Sequence, residues 1–306
     1  MKKGLIVFFV AVLFPPIVSQ AQQSPLYTQY MLNDYVINPA VAGSKGFFPL
    51  RLNVRNQWMG FEDAPSTQSL SFHAGVGDGR VGLGALIFQD DTGPTSQLGV
   101  QVSYAYHLYV PNIESNLSFG VAPMIYQYSL NANELEFHDP EVVAGSYKKV
   151  LPDASIGLYL YGESYFIGAS VHQLLETTFK QSIYNTYGDN SGKRHYFLTA
   201  GVTKEINYSF HIEPSIMVKT LEIGLTQVDF NIRTIFNRKF WTGLSIRTDE
   251  SVVALLGMNL ETFHLAYGFD YTMRPIGTHT SGSHEISIGF NLPDPRNRRH
   301  VYYWRY

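Results

Sequence analysis

Period-two alternation of apolar with polar or small residues recurs along almost the whole chain. In the segment HEISIGFNL, for example, Ile286, Ile288 and Phe290 share one face, while Ser287 and Gly289 share the other. This period predicts β-strands that are apolar on one face only. Such strands suit a soluble sandwich, with the apolar face inward, or a membrane barrel, with the apolar face toward lipid. Alternation alone does not choose between them.

The lengths of the connections favour the barrel. Links after even-numbered predicted strands are tight, whereas links after odd-numbered strands are mostly longer and include 131–152 and 174–193. Outer-membrane barrels alternate short periplasmic turns with longer extracellular loops. We therefore predict an all-β fold, a single transmembrane antiparallel up-and-down β-barrel of about 14 strands, with both mature termini periplasmic. The predicted strands are 49–57, 66–76, 79–89, 96–109, 116–130, 153–161, 164–173, 194–205, 208–219, 224–236, 239–247, 251–259, 262–273 and 283–292.

Composition agrees with a barrel in a membrane. Charged residues make up 15% of the chain, against about 25% in a typical soluble domain. Aromatic residues reach 14%, as expected where Tyr and Phe form girdles at the two membrane interfaces. The net charge of -3 provides no electrostatic footprint for a nucleic-acid partner.

The first 21 residues have the layout of a secretory signal peptide. Lys2 and Lys3 precede an apolar stretch, and Ser19 to Ala21 form a small-x-small cleavage site. An uncleaved membrane anchor is the alternative, although Pro15-Pro16 would interrupt its helix. Because the chain has 0 Cys, it has no lipidation cysteine. Export without disulfides favours the outer membrane of a Gram-negative bacterium.

Two segments flank the predicted barrel of residues 49–292. Residues 22–48 include Tyr30, Met31, Tyr35, Asn38 and Pro39 within the run YMLNDYVINPAVAGS, which is too apolar to hang free in the periplasm. We expect this segment to fold back as a plug or collar at the periplasmic mouth, the alternative being an anchor among the lipid headgroups. Residues 293–306 form a basic aromatic tail, which suits either the headgroup interface or a docking peptide.

No motif for catalysis, a metal or a cofactor stands out. The chain lacks G-x-S-x-G, H-E-x-x-H and P-loop patterns, and the glycines of GVGDGRVGLGALIF surround a hairpin turn. The segment FHDPE at 137–141 could bind a metal but is more often a solvated turn. We predict a protein that is not an enzyme and holds no cofactor.

Charged residues on the polar strand faces have two interpretations. They either form a channel that selects solutes or a salt-bridge network that fills a narrow lumen. The residues are Arg51, Arg55, Asp229, Arg233 and Asp270.

The two longest loops carry aromatic residues beside polar ones, a composition typical of binding anchors. We expect a docking platform there, or loops that merely cap the barrel. The candidate partner-binding residues are Glu134, Phe137, His138, Tyr147, Phe179, Tyr184 and Tyr187.

The chain resembles the PorP/SprF family of type IX secretion system outer-membrane proteins of Bacteroidetes. The segments that carry the resemblance run in order through the mature chain: YTQYMLNDYVINPAVAGS, PDASIGLYLYG, FIGASVHQL, RHYFLTAGV, PSIMVK, FWTGLSIRTDESVVALLGM and SGSHEISIGF. The tail after residue 293 does not map to the family pattern.

The resemblance implies a non-enzymatic barrel that supports secretion or cell-surface attachment of proteins with a type IX C-terminal domain, such as the adhesins used in gliding motility. It further implies periplasmic ring components of the secretion system and outer-membrane lipids as partners. The family has no agreed catalytic residues. A transport channel for small or hydrophobic solutes is the second interpretation, and a barrel hydrolase is a third.

Overall fold

The structure, a computed structural model, describes residues 29–131, 146–176, 178–182, 187–222, 226–260 and 262–295. These residues form antiparallel strands with short 3-10 segments between some of them. The strands are β1 Phe47–Asn56, β2 Ser66–Val76, β3 Val81–Thr92, β4 Thr95–Val110, β5 Ser115–Asn131, β6 Ser146–Tyr161, β7 Tyr165–His172, β8 Thr178–Ser182, β9 Tyr187–Ser191, β10 His195–Val202, β11 Lys204–Asn207, β12 Phe210–Leu221, β13 Thr226–Phe236, β14 Phe240–Arg247, β15 Ser251–Leu260, β16 Phe263–Thr272 and β17 Ser283–Pro293.

Neighbouring strands pair all the way around and close the sheet. The first and last strands join, with Leu52 opposite Ile288. Strands β10 and β11 are two parts of one wall strand, since both pair with β12 and only Thr203 separates them. The wall therefore has 14 strands, as predicted. The remaining two, β8 and β9, form a separate hairpin in the loop between β7 and β10.

Strand β6 is longer than predicted. It begins at Ser146, whereas alternation had placed its start at residue 153. Proline often marks the start of a strand, yet pairing with β5 continues on both sides of Pro152. The loop after β5 is correspondingly shorter than expected.

Every link at one end of the barrel is a short turn, and this end also holds the start of β1 and the end of β17. We name this the turn end and the opposite end the loop end. The turn end carries links such as 77–80 and 237–239. The loop end carries most of the longer links, although 93–94 and 248–250 are also short.

The strand faces are sorted by polarity. Outward side chains such as Leu52, Phe230 and Phe290 are 44%, 56% and 45% exposed. Polar neighbours such as Asn53 and Asn231 are buried inside. An apolar exterior over a polar interior is the arrangement of a barrel in lipid. Within the described residues, no helix has the length and apolar character needed to cross a membrane.

Candidate functional site: the plugged lumen

Residues 29–46 fill part of the barrel interior, and we name them the plug. They form two short 3-10 segments, Asp34–Val36 and Pro39–Val41. Asn38 caps the second segment, because its side-chain oxygen accepts a hydrogen bond from the Ala40 N–H at 3.0 Å. Proline at the first position of that segment fits its fixed φ. Asn38 and Pro39 thus form a capped 3-10 turn.

The sequence predicted a plug or collar at the periplasmic mouth. In the structure the plug lies deeper in the barrel. Tyr35 is fully buried and its hydroxyl shares a hydrogen bond with Ser103 of β4 at 2.8 Å. Tyr30 is also buried, and its hydroxyl accepts a hydrogen bond from Asn231 of β13 at 2.7 Å. Met31 packs against both buried apolar clusters of the interior. These side chains are buried in the lumen, where they pack against its apolar clusters.

Wall side chains hold the backbone of the plug. His107 donates from Nε2 to the Ala42 carbonyl at 2.9 Å, and His172 donates from Nε2 to the Ile37 carbonyl at 2.8 Å. His73 accepts from the Gly43 N–H through Nδ1 at 3.1 Å. Further bonds join the plug to β5, β6 and β17. Because the contacts come from opposite sides of the barrel, the plug is fixed across the lumen.

Glycines in the wall make room for the plug backbone. A Cβ added to Gly82 would lie 1.8 Å from the Ala42 oxygen, and one added to Gly120 would lie 2.3 Å from the Ala40 nitrogen. A Cβ on Gly157 would lie 2.0 Å from the side-chain oxygen of Asn38. Sequence reasoning treated the glycines around the first hairpin as turn residues only. Glycine inside a strand often marks close approach of another backbone. The sequence therefore contained a signal for this contact between wall and plug.

An ion pair stabilises the plug internally. Lys45 Nζ lies 3.0 Å from Asp34 Oδ2, and Tyr159 of β6 donates to the same oxygen at 3.2 Å. Burial alone would raise the pKa of Asp34, but the Lys45 ammonium and these hydrogen bonds hold that pKa below its usual value. Burial also raises the pKa of Tyr35 to about 12. At neutral pH the plug therefore carries a compensated ion pair and neutral tyrosines.

The predicted lumen charges are brought together in the interior. Arg247 lies 2.8 Å from Asp270 and 3.1 Å from Asp229, while Arg55 lies 2.9 Å from Asp270 and 3.5 Å from Glu285. All five side chains are buried. They form a continuous network around one side of the lumen, which is the geometry of the salt-bridge interpretation.

The other two predicted lumen residues have separate partners. Arg233 lies 2.8 Å from Glu213 on the neighbouring strand. Arg51 donates to the Asn291 side chain and, at 3.0 Å, to the Phe290 carbonyl. Both arginines are 2% exposed, so their guanidinium groups are bonded to the wall.

The predicted docking residues fall mostly outside what the structure describes. Glu134, Phe137, His138 and Tyr184 lie outside the described residues, as does the segment FHDPE. Phe179 lies in β8 and Tyr187 in β9, in a hairpin whose side chains are not described. The predicted signal peptide of residues 1–21 and the tail beyond residue 295 also lie outside the described residues.

Tyr147 is a correction to the loop prediction. It lies in β6, half-buried, and packs against the interior apolar cluster. The alternation of Tyr147 and Lys149 with Lys148 and Val150 places it on the inward face. It is therefore a wall residue.

The described part of the chain contains no cluster of side chains suited to holding a metal ion. There, no three His, Asp or Glu side chains come together as metal ligands. Among the buried histidines, His73 and His107 bond the plug, and His264 bonds its wall neighbour Asn259 at 2.7 Å.

Comparison with solved structures identifies the architecture. A Pseudomonas aeruginosa FadL homologue aligns with a TM-score of 0.51 at 10% identity, covering 89% of this chain and 95% of that chain. The CymD monoaromatic hydrocarbon channel aligns at 0.48 and 13% identity, covering 88% and 93%. The KdgM porin aligns at 0.41 and 8% identity, covering 80% and 99%. At 10% identity the likeness to the FadL homologue shows the fold alone.

A search of curated proteins finds no match. A family model described as type IX secretion system membrane protein PorP/SprF matches residues 19–290, which includes the plug and nearly all of the barrel. The chain therefore belongs to the PorP/SprF family of type IX secretion system membrane proteins, and it is an outer-membrane β-barrel.

Proposed function

We propose that this protein is a plugged, non-enzymatic adaptor barrel that supports secretion or surface attachment of proteins with a type IX C-terminal domain. Adhesins, including those of gliding bacteria, are the expected class of partner. The observation that carries the proposal is the plug: it is bonded to strands on opposite sides of the wall and seated in a glycine-lined recess. A barrel closed in this way suits holding a partner better than conducting solutes.

The buried ion network supports the same role. Arg247 and Asp270 are both buried and bonded to one another and to further charged neighbours. Charges that are satisfied by the wall are unavailable for selecting solutes. This network is therefore suited to mechanical rigidity, and recognition of a protein partner is expected at the loops of the barrel ends.

The proposal includes an orientation. Short turns at one end and longer loops at the other are the pattern of barrels whose turns face the periplasm. With the turn end periplasmic, both ends of the barrel chain face the ring components of the secretion system. The loop end then faces the cell exterior, where a secreted partner is exposed, and the apolar belt faces outer-membrane lipids in a Bacteroidetes cell.

Two measurements test the proposal. In planar bilayers the wild-type protein should show little conductance, whereas a variant lacking residues 29–44 should conduct. A steady open level in wild type would instead favour the alternative, a channel for small or hydrophobic solutes.

Affinity purification of the full chain from its native membranes should recover proteins with a type IX C-terminal domain and periplasmic ring components. Recovery of neither would contradict the adaptor role.

A further inference from the structure

Lys219 is a buried cation in the barrel interior, and no carboxylate of the described residues contacts it. It lies on β12, is 7% exposed, and makes no ion pair or hydrogen bond with the described residues. Its ammonium lies 5.8 Å from the centroid of the Phe197 ring. The nearby carboxylate of Asp229 is already ion-paired with Arg247. An ammonium that lacks such bonds on a largely buried side chain is costly, and an anionic ligand would offset that cost.

Two histidines lie beside this cation at the loop end. Register places His195 of β10 opposite His172 of β7, and places Phe197 opposite Lys219. The Phe197 ring lies 5.2 Å from the His172 ring and 6.4 Å from the His195 ring, measured between centroids. His195 is 1% exposed, and its buried Nδ1 has no hydrogen-bond partner. We name Lys219, His195 and His172 the cationic cluster.

A mostly apolar cavity borders the cluster, with Gln97, Gln101 and Gln173 among its polar lining residues. It has a volume of about 60 Å³ and is lined by His172 and Phe197 on the cluster side. Phe88, Met124 and Tyr126 form part of its opposite wall. Because one water needs only about 10–15 Å³ of such space, the cavity can hold a short apolar group. A cationic group next to a small apolar space is complementary to an organic carboxylate.

We propose that the cationic cluster binds the carboxylate of a ligand whose short apolar group occupies this cavity. Lys219 provides the charge and N–H donors, and His195 provides a second donor through its unpartnered ring nitrogen. The carboxylate can belong to a free small acid or to the C-terminal residue of a polypeptide, since both present one carboxylate beside one side chain. The proposal does not depend on the adaptor role, because it concerns the interior of the barrel.

The test compares acid and amide probes on the full-length protein in detergent. Isothermal titration calorimetry is performed with phenylacetate and phenylacetamide, and with a short peptide ending in Phe as its free acid and its amide. Each acid that binds should do so about tenfold or more tightly than its amide, since a charge-assisted hydrogen bond is lost. Equal binding of acid and amide, or no binding by either acid, would overturn the proposal.

The variants assign the binding to the cluster. Lys219→Met should weaken acid binding about tenfold or more, while Lys239→Met, on the exposed turn end, should leave it unchanged. Unchanged binding in Lys219→Met would contradict the proposal. If that variant fails to give a folded barrel, the acid–amide comparison in wild type still decides. Binding of the free acid identifies a small-molecule site, and binding of the peptide acid alone identifies a chain terminus.

Discussion

The carbonyl oxygen of Ala42 lies 1.8 Å from the point that a Cβ on Gly82 would occupy. The plug and the wall therefore meet backbone to backbone, and no side chain larger than hydrogen fits between them. A plug that only rested loosely in the lumen would leave room for a methyl group. The contact indicates that plug and barrel are shaped to fit each other.

Replacing Gly82 by Ala should loosen the plug. Overpacking a tight contact typically costs about 1–3 kcal/mol, and here the opposing atom is backbone. Limited trypsin digestion reports the effect, because the Lys45 side chain is only 8% exposed and cleavage after it requires release of the plug. Gly243→Ala is the matched control, since its nearest neighbour atom belongs to Leu255 at 3.3 Å and not to the plug. Equal resistance to trypsin cleavage after Lys45 in both variants would show that the contact at Gly82 does not hold the plug in place.

Acid should weaken the plug through Asp34. Its pKa is held below the usual value in the folded protein, so its contribution to stability is present above the unfolded-state pKa. That contribution is lost as the pH falls through the folded-state pKa. Bilayer conductance should therefore rise under acid conditions, and Asp34→Asn should raise conductance at neutral pH. Asp78→Asn, in an exposed turn pair, is the control and should resemble wild type.

Removing Arg247 should destabilise the barrel strongly. Arg247→Met leaves Asp229 buried without its ion-pair partner and removes one of the two arginines that contact Asp270. Breaking a buried pair in this way costs about 3–5 kcal/mol. Arg80→Met removes an exposed pair with Asp78 and should cost about 1 kcal/mol or less. Urea unfolding in detergent measures the loss of stability in each variant. Similar urea midpoints for the two variants would show that the interior network contributes little to stability.

The lipid-facing surface is testable at Phe230. This residue is central in β13 and 56% exposed, so Phe230→Arg should cost about 2–4 kcal/mol near the bilayer midplane. Tyr208→Arg, at the turn end and 73% exposed, should be nearly neutral. The free energies of unfolding of the two variants are compared after reconstitution in lipid vesicles. Equal tolerance at both positions would mean that the strand face has been assigned wrongly.

The loop between β5 and β6 tests partner docking. Replacing residues 132–145 with a short Gly-Ser turn should release the secreted partner into the medium and leave the barrel assembled, as judged by heat-modifiable gel mobility. Tyr147 must be retained, because it packs in the wall. The same replacement of residues 183–186, within the β8–β9 hairpin, tests the neighbouring loop. A partner that remains on the cell surface in both variants docks elsewhere.

The sequence by itself determined the strands and their two faces. Alternation placed Ile288 and Ser287 on opposite faces, for example, and the structure agrees, with Ile288 40% exposed and Ser287 1% exposed. This succeeded because the period of a strand is local and because lipid and lumen demand opposite polarity. The barrel was predicted from the alternation of short and longer links, and the predicted number of 14 strands is confirmed.

Only the tertiary structure decided what lies inside the wall. That Tyr35 reaches Ser103 and that Ala42 lies against Gly82 depends on residues far apart in the chain, so no local period encodes it. The same holds for Lys219. Only the folded chain shows that no carboxylate of the described residues contacts it. A buried contact is set by the sum of the surrounding packing, whereas the facing of a strand residue is set by its immediate neighbours.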